Sequence, residues 1–356
     1  MESGARGGGG GDTGAPPSGD ASSQEASGGS SGGGTDSGGG SADTGGGGSE
    51  GGGIDAPAEA GPPPAKQALL WLWQNYAQTL SDLQSNPMSF THISPTFYQL
   101  NYGYSSGAAG FNGSDNFDGM TSMQIAQQIH AMGMKVVPAV QAGAGNNGTD
   151  QGIQNVLGDS PSGAQQSFIT SMVAEGVAKA YDGFNLDWEP GKIGYSAYGA
   201  QYVSFLAKFK SALNAKGMVL SIDIGSWYVH QCQASCGDGL VDLVQVRQAV
   251  DQAIIMDYTG TFGGPPTSCP AQLPMQQDCD SSFVAGMSVM CNLPAGAVSI
   301  GMISGQTNSY LPQALQAVSM YGFPGVAVWP SYGNLDSSGI PQGGTWYSEF
   351  AQFLAQ

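Results

Sequence analysis

Basic residues are scarce in this chain: nine Lys and Arg stand against 27 Asp and Glu, a formal net charge of −18. Phosphate backbones are gripped by clustered cations, so nucleic acid is excluded as a partner, and a polybasic membrane-surface patch is excluded with it. No run of about 18 apolar residues occurs, and no transmembrane segment is expected. Aromatic residues are missing until Trp71, and 24 of the 58 glycines, with ten serines, crowd into the first 65 positions. Such a stretch buries too little apolar surface to offset its ordering entropy. Residues 1–65 are therefore expected to be a disordered low-complexity tail, which excludes an N-terminal domain. Only three histidines are present, at positions 92, 130 and 230, scattered singly as structural or surface residues, and no His/Cys/Asp spacing suggests a metal. The glycines at 143, 145 and 148 are followed by no Lys-Ser/Thr pair, so they form no phosphate loop. Neither metal nor cofactor is expected.

What is present lies after the tail. Pro62, Pro63 and Pro64 mark the boundary, and residues 66–356 are about the right length for one large α/β domain. The acids divide as nine before residue 66 and 18 after it, so both parts are acidic. Five cysteines fall as two close pairs, Cys232 with Cys236 and Cys269 with Cys279, leaving Cys291 over. Two loop-stapling disulfides would suit an exported protein; a zinc site from the same four is the alternative, although their spacings match no usual ligand pattern. With disulfides, intact mass should rise by two hydrogens per pair on reduction, and an unchanged mass would remove them. Met1 leads directly into Glu2, Ser3 and Gly4 without a charged start and apolar stretch, so an exported form is expected to begin differently. The tail's composition favours an extracellular or surface-tethered setting.

Beyond the boundary, β-rich runs alternate with helical ones. Strands are predicted over residues 70–73, 90–98, 135–140, 181–188, 219–226, 253–258, 297–303 and 325–329. Helical spacing of apolar residues marks 122–132, 168–180, 198–213, 241–250, 283–290, 311–320 and 346–354. Continuously apolar strand pieces such as Val136–Val137 and Ile254–Ile255 suit parallel strands covered on both faces. Eight such units in about 290 residues predict a single (β/α)8 TIM barrel, with a doubly wound open sheet as the rival, and place the chemistry at the C-terminal strand ends.

The fourth strand reads Tyr-Asp-Gly-Phe-Asn-Leu-Asp-Trp-Glu over residues 181–189. Side chains alternate along a strand, so Asn185, Asp187 and Glu189 share one face, and Phe184, Leu186 and Trp188 the other. The apolar set packs against helices, and the polar set must point into the barrel. Burying two acids there without a task would be costly. Asp187 and Glu189 lie roughly 6.6 Å apart along the strand. Like charge and partial burial raise a carboxyl pKa, as a general acid near neutral pH requires. Glu189, at the mouth, is the natural proton donor.

This run resembles the fourth-strand signature of glycoside hydrolase family 18, the chitinases and related endo-β-N-acetylglucosaminidases. Residues 90–93 are similar to that family's second strand, Met256-Asp257-Tyr258 to its sixth, and Val326 to Trp329 to its eighth. The resemblance implies a retaining, substrate-assisted hydrolysis of β-1,4-linked N-acetylglucosamine glycans, either chitin oligomers or the chitobiose core of N-glycans. It implies Glu189 as general acid/base, Asp187 orienting the acetamido group, Tyr258 bonding its oxygen and Trp329 flooring the sugar site. Met256, Asp257 and Gln141 come with the neighbouring strand ends, and Tyr98 and Trp227 are aromatic candidates for sugar stacking. Trp188, Tyr228 and Tyr332 share that possibility with core packing. The expected partner is an N-acetylglucosamine-containing oligo- or polysaccharide, and the protein is expected to be a monomer.

Departures from the family pattern carry their own expectations. Asn185 stands where many members have Asp, and an amide cannot share a proton with Asp187, so Asp187 is expected to lose some upward pKa pressure. Thr259 follows Tyr258 where Asp is common, and the third strand reads Ala139-Val140-Gln141-Ala142-Gly143 in place of Ser-x-Gly-Gly. The interval from Ile303 to Leu311 is too short for the cleft-walling insertion of many chitinases, which implies an open groove. A family-18-like lectin that binds without cleaving is the alternative reading. Because every proposed site residue follows Leu69, deleting residues 1–65 should leave turnover of a soluble substrate nearly unchanged; a marked loss would give the tail a catalytic part.

Overall fold

The computed structural model describes residues 65–100, 110–111, 114–142, 147–188, 198–225, 243–256, 297–303, 311–320, 322–329 and 345–356. All five cysteines, residues 1–64 of the expected tail and the expected helix at 283–290 lie outside them. All the described residues fall in one compact unit.

Among the described residues, eleven strands form one sheet: β1 (Gln67–Leu72), β2 (His92–Pro95), β3 (Tyr98–Gln99), β4 (Gly110–Phe111), β5 (Lys135–Val136), β6 (Ala139–Ala142), β7 (Gly183–Trp188), β8 (Val219–Gly225), β9 (Gln252–Met256), β10 (Val298–Ile303) and β11 (Gly325–Trp329). Their order is β4-β3-β6-β7-β8-β9-β10-β11-β1-β2-β5, and every pairing is parallel except β3 with β4. Strands β2 and β3 belong to one run of chain, and β5 and β6 to another. Because β2 pairs β5 at one end of the order and β3 pairs β6 at the other, the sheet curls round to the same two runs, as in a TIM-like barrel. Pro138 has no N–H to give the ladder, which is why the second run is split between β5 and β6. All eight predicted strands are found, within a few residues of their expected bounds.

The helices are α1 (Tyr76–Ser85), α2 (Ser122–Ala131), α3 (Asn147–Leu157), α4 (Ala164–Lys179), α5 (Gly199–Asn214), α6 (Leu243–Ala249), α7 (Leu311–Met320) and α8 (Thr345–Ala355). The start of α2 is fixed by a reciprocal capping box between Thr121 and Gln124. Among the described residues, no helix is long and apolar enough to cross a membrane.

Strand alternation divides the core in two. Outward side chains pack under the helices in one large cluster: Trp188 stacks on Phe205 at 5.3 Å and 8°, and Phe168 meets Trp188 edge-on. Inward side chains Leu69, Trp71, Val137, Ile254 and Ala327 form a second cluster inside the barrel. Asp182, just before β7, accepts the N–H of Val136 at 2.8 Å and a hydrogen bond from His130 Nε2 at 2.8 Å, tying that strand to β5 and α2. Its role is structural.

His92 starts β2 and is buried, with Nδ1 2.8 Å from Thr91 Oγ1. Burial first, and the nearby Lys135 charge second, lower its pKa to about 4. The unfolded chain binds this proton near pH 6.5, so between about 6.5 and 4 the unfolded state holds more protons and stability falls with pH. The full loss is on the order of 3 kcal/mol. The fall in Tm from pH 6.5 to 4 should be shallower in His92→Gln; equal slopes would contradict it.

Candidate active site

Strand β7 places the signature as alternation requires. Phe184, Leu186 and Trp188 lie in the outer cluster, while Asn185 and Asp187 point inward and are buried. Asp187 Oδ2 accepts a hydrogen bond from Gln141 Nε2 at 3.0 Å, across the β6–β7 pair. Gln141, expected at the substrate, thus holds a carboxylate, and the residue that departs from the family's third strand has a defined partner.

Asn185 donates through Nδ2 to Ser221 Oγ and to Asp223 Oδ1, each at 2.9 Å. Trp71, from β1, donates through Nε1 to Asp223 Oδ2 at 3.2 Å. Three strands lie between β1 and β8 either way round the curled sheet, counting β2–β3 and β5–β6 as one run each, so this indole reaches across the interior. Gly301 makes room for it: a Cβ there would lie 3.2 Å from Trp71 Cη2. Asp223, Ser221 and Trp71 were not among the residues expected at the site. Alternation on β8 carried the signal, since Ser221 and Asp223 share the face opposite Leu220, Ile222 and Ile224.

Trp329, at the end of β11, is partly exposed, and its ring stacks on Trp73 at 6.0 Å and 11° and meets Trp71 at 6.1 Å. Trp73 is a further aromatic that sequence reasoning passed over. Met256 ends β9 and is buried, on the same strand face as interior Ile254. Tyr98 is not at this site. It lies in the outer cluster, 2% exposed, with its hydroxyl donating to Glu175 Oε1 at 2.9 Å and 3.1 Å from that of Tyr181. The irregular Thr96–Phe97 step between β2 and β3 turns the phenol to the helices, where it packs in place of contacting a sugar. Glu189, Tyr258, Asp257 and Trp227 lie outside the described residues, as do Tyr228, Thr259 and Tyr332.

The interior so built is a TIM-like barrel with an acid on each of two adjacent strands and indoles from β1 and β11 beside them. By fold the chain is similar to a chitinase from Chromobacterium violaceum, at 14% identity and TM-score 0.58, covering 82% of this chain and 100% of that one. It is similar also to the GH18 chitinase ChiB of Flavobacterium johnsoniae (11%, TM-score 0.56, 82% and 94%) and to the Bacillus cereus spore cortex-lytic enzyme SleL (13%, TM-score 0.57, 82% and 75%). At these identities the likeness is one of fold. No protein-family model and no curated protein sequence matches the chain.

Proposed function

We propose that the chain is a retaining glycosidase of β-1,4-linked N-acetylglucosamine glycans, exported and held away from a surface by its glycine-rich tail. The observation that carries this reading is the inward, buried carboxylate of Asp187, held by Gln141 two residues before Glu189 on a strand of the family-18 pattern. The chitinases and the cortex-lytic enzyme that share the fold support the substrate class.

On this reading Glu189 protonates the glycosidic oxygen as the bond to the anomeric carbon breaks, and the substrate's acetamido oxygen bonds that carbon to give an oxazolinium ion. Asp187 orients the acetamido N–H and stabilises the positive charge. Water deprotonated by Glu189 then opens the ring and restores the acid. Tyr258 bonds the acetamido oxygen, and the Trp329–Trp73 pair offers an apolar face to the sugar's C–H surface.

Incubation with chito-oligosaccharides and, separately, with a high-mannose glycopeptide tests the reading and chooses between its two substrates. Cleavage of either supports it. Binding without cleavage by the wild type would sink it in favour of a lectin.

A further inference from the structure

Asp223 belongs to no part of the resemblance, yet it is buried in the interior and held on both of its oxygens. The only buried Asp, Glu, His, Lys or Arg side chains among the described residues are Asp187, Asp223 and His92. The first two lie on neighbouring strands. In the β7–β8 register Asn185 pairs Ser221 and Leu186 pairs Ile222, so the next step sets Asp187 beside Asp223, on strands roughly 4.8 Å apart. Both point inward, at 7% and 5% exposure.

Two carboxylates so close and so buried do not both ionise at neutral pH, because the second charge meets the first in a medium that screens poorly. Asp223 accepts an N–H on each oxygen, from Asn185 and from Trp71, the arrangement that favours an ionised carboxylate. Asn185 Oδ1 is buried and has no hydrogen-bond partner among the described residues, an acceptor on the same strand face as Asp187. We propose that Asp187 and Asp223 form one carboxyl pair that shares a single proton and a single negative charge, with Asp223 as its positioning residue. The amide at 185 is then no loss: it orients Asp223, and the second carboxyl has moved one strand over. This rests on the glycosidase reading for its purpose, though not for its geometry.

The surroundings supply no competing titration among the described residues. Gln141 faces the pair from β6, Asn185 and Ser221 from the two strands themselves, Trp71 from β1, and β9 pairs Ile254 with Asp223. Glu189 and Asp257 adjoin the same strand ends in sequence, and their titrations are assigned separately with Glu189→Gln and Asp257→Asn.

The test is carboxyl NMR of the full chain labelled with [13Cγ]aspartate, followed from pH 3 to 9. One resonance should titrate at least about one pH unit above the ordinary aspartate value and fall back by a similar amount in Asp223→Asn. Should that variant not fold, Asp187→Asn gives the converse, returning Asp223 to the ordinary range. Ordinary titration of both acids in the wild type, or a high resonance that survives both substitutions, overturns the pair. The measurement reads the proton whether or not the chain cleaves a glycan, so absence of hydrolysis defeats the glycosidase reading alone. Given hydrolysis, Asp223→Asn should move the acidic limb of kcat/KM by at least about half a pH unit, and adding Asn185→Asp should move it back. A packing role would lower Tm and leave the limb in place, which also overturns the proposal.

Discussion

Exchanging Glu189 for Gln is expected to slow cleavage of a chito-oligosaccharide by roughly 10²- to 10⁴-fold while leaving its binding nearly intact. The amide keeps the size of the acid and its hydrogen-bonding capacity but can deliver no proton to the leaving oxygen. Asp187→Asn should cost roughly 10²- to 10³-fold, because on the proposed mechanism it breaks the carboxyl pair whose charge offsets the developing oxazolinium ion. That substitution is isosteric, and its amide oxygen can still accept from Gln141 Nε2, so the fold should tolerate it. Gln141→Ala removes only the orienting donor and should cost about tenfold, as for one lost neutral-to-charged hydrogen bond. Steady-state kinetics by product chromatography, paired with calorimetric binding, would order the three. Wild-type turnover in Glu189→Gln would move the acid elsewhere, and a raised KM with kcat unchanged would point to binding in place of chemistry.

Much of this arrangement was legible in the sequence because strand periodicity is a local signal. Residues 183–188 alternate polar and apolar without a break, and both faces fall where that pattern sends them. Two helices escaped naming for opposite reasons. In α1 apolar residues are diluted by Gln, Thr, Ser and Asp, so its stripe is thin; α3 opens on Asn-Gly-Thr-Asp, residues that favour turns. Tyr98 was misplaced because nearness to a strand end does not say which face of the sheet a ring takes. Asp223 was missed for a different reason. Its partner Trp71 is 152 residues away, and nothing local says that a β1 indole will cross the barrel to meet it. The departure at Asn185, read along one strand, looked like the loss of a carboxyl. Seen across two, it has Asp223 beside it.

Gly183→Ala is expected to be the most destabilising single-methyl addition on β7, by about 3 kcal/mol, lowering Tm by roughly 6–12 °C. The reason is the approach of β8. A Cβ at position 183 would collide with the Val219 carbonyl oxygen and lie 2.7 Å from Val219 Cγ2 and 2.9 Å from its backbone nitrogen. Two of these three are main-chain atoms, so no rotamer change relieves the clash. Val219 is held there by its N–H, which donates to the Asp182 carbonyl at 2.8 Å, and Asp182 is itself anchored by Val136 and His130. The methyl must therefore pry β8 from β7 at the base of the ladder that, two residues on, pairs Asn185 with Ser221. Gly217→Ala is the control. Its φ of +76° imposes left-handed strain of about 1 kcal/mol, but a Cβ there meets nothing within 4 Å. Thermal unfolding of both variants separates crowding from backbone strain. If the two Tm values fall equally, the close β7–β8 approach is not what demands glycine in the signature. If Gly183→Ala alone falls steeply, that residue serves the site by letting the two acid-bearing strands meet.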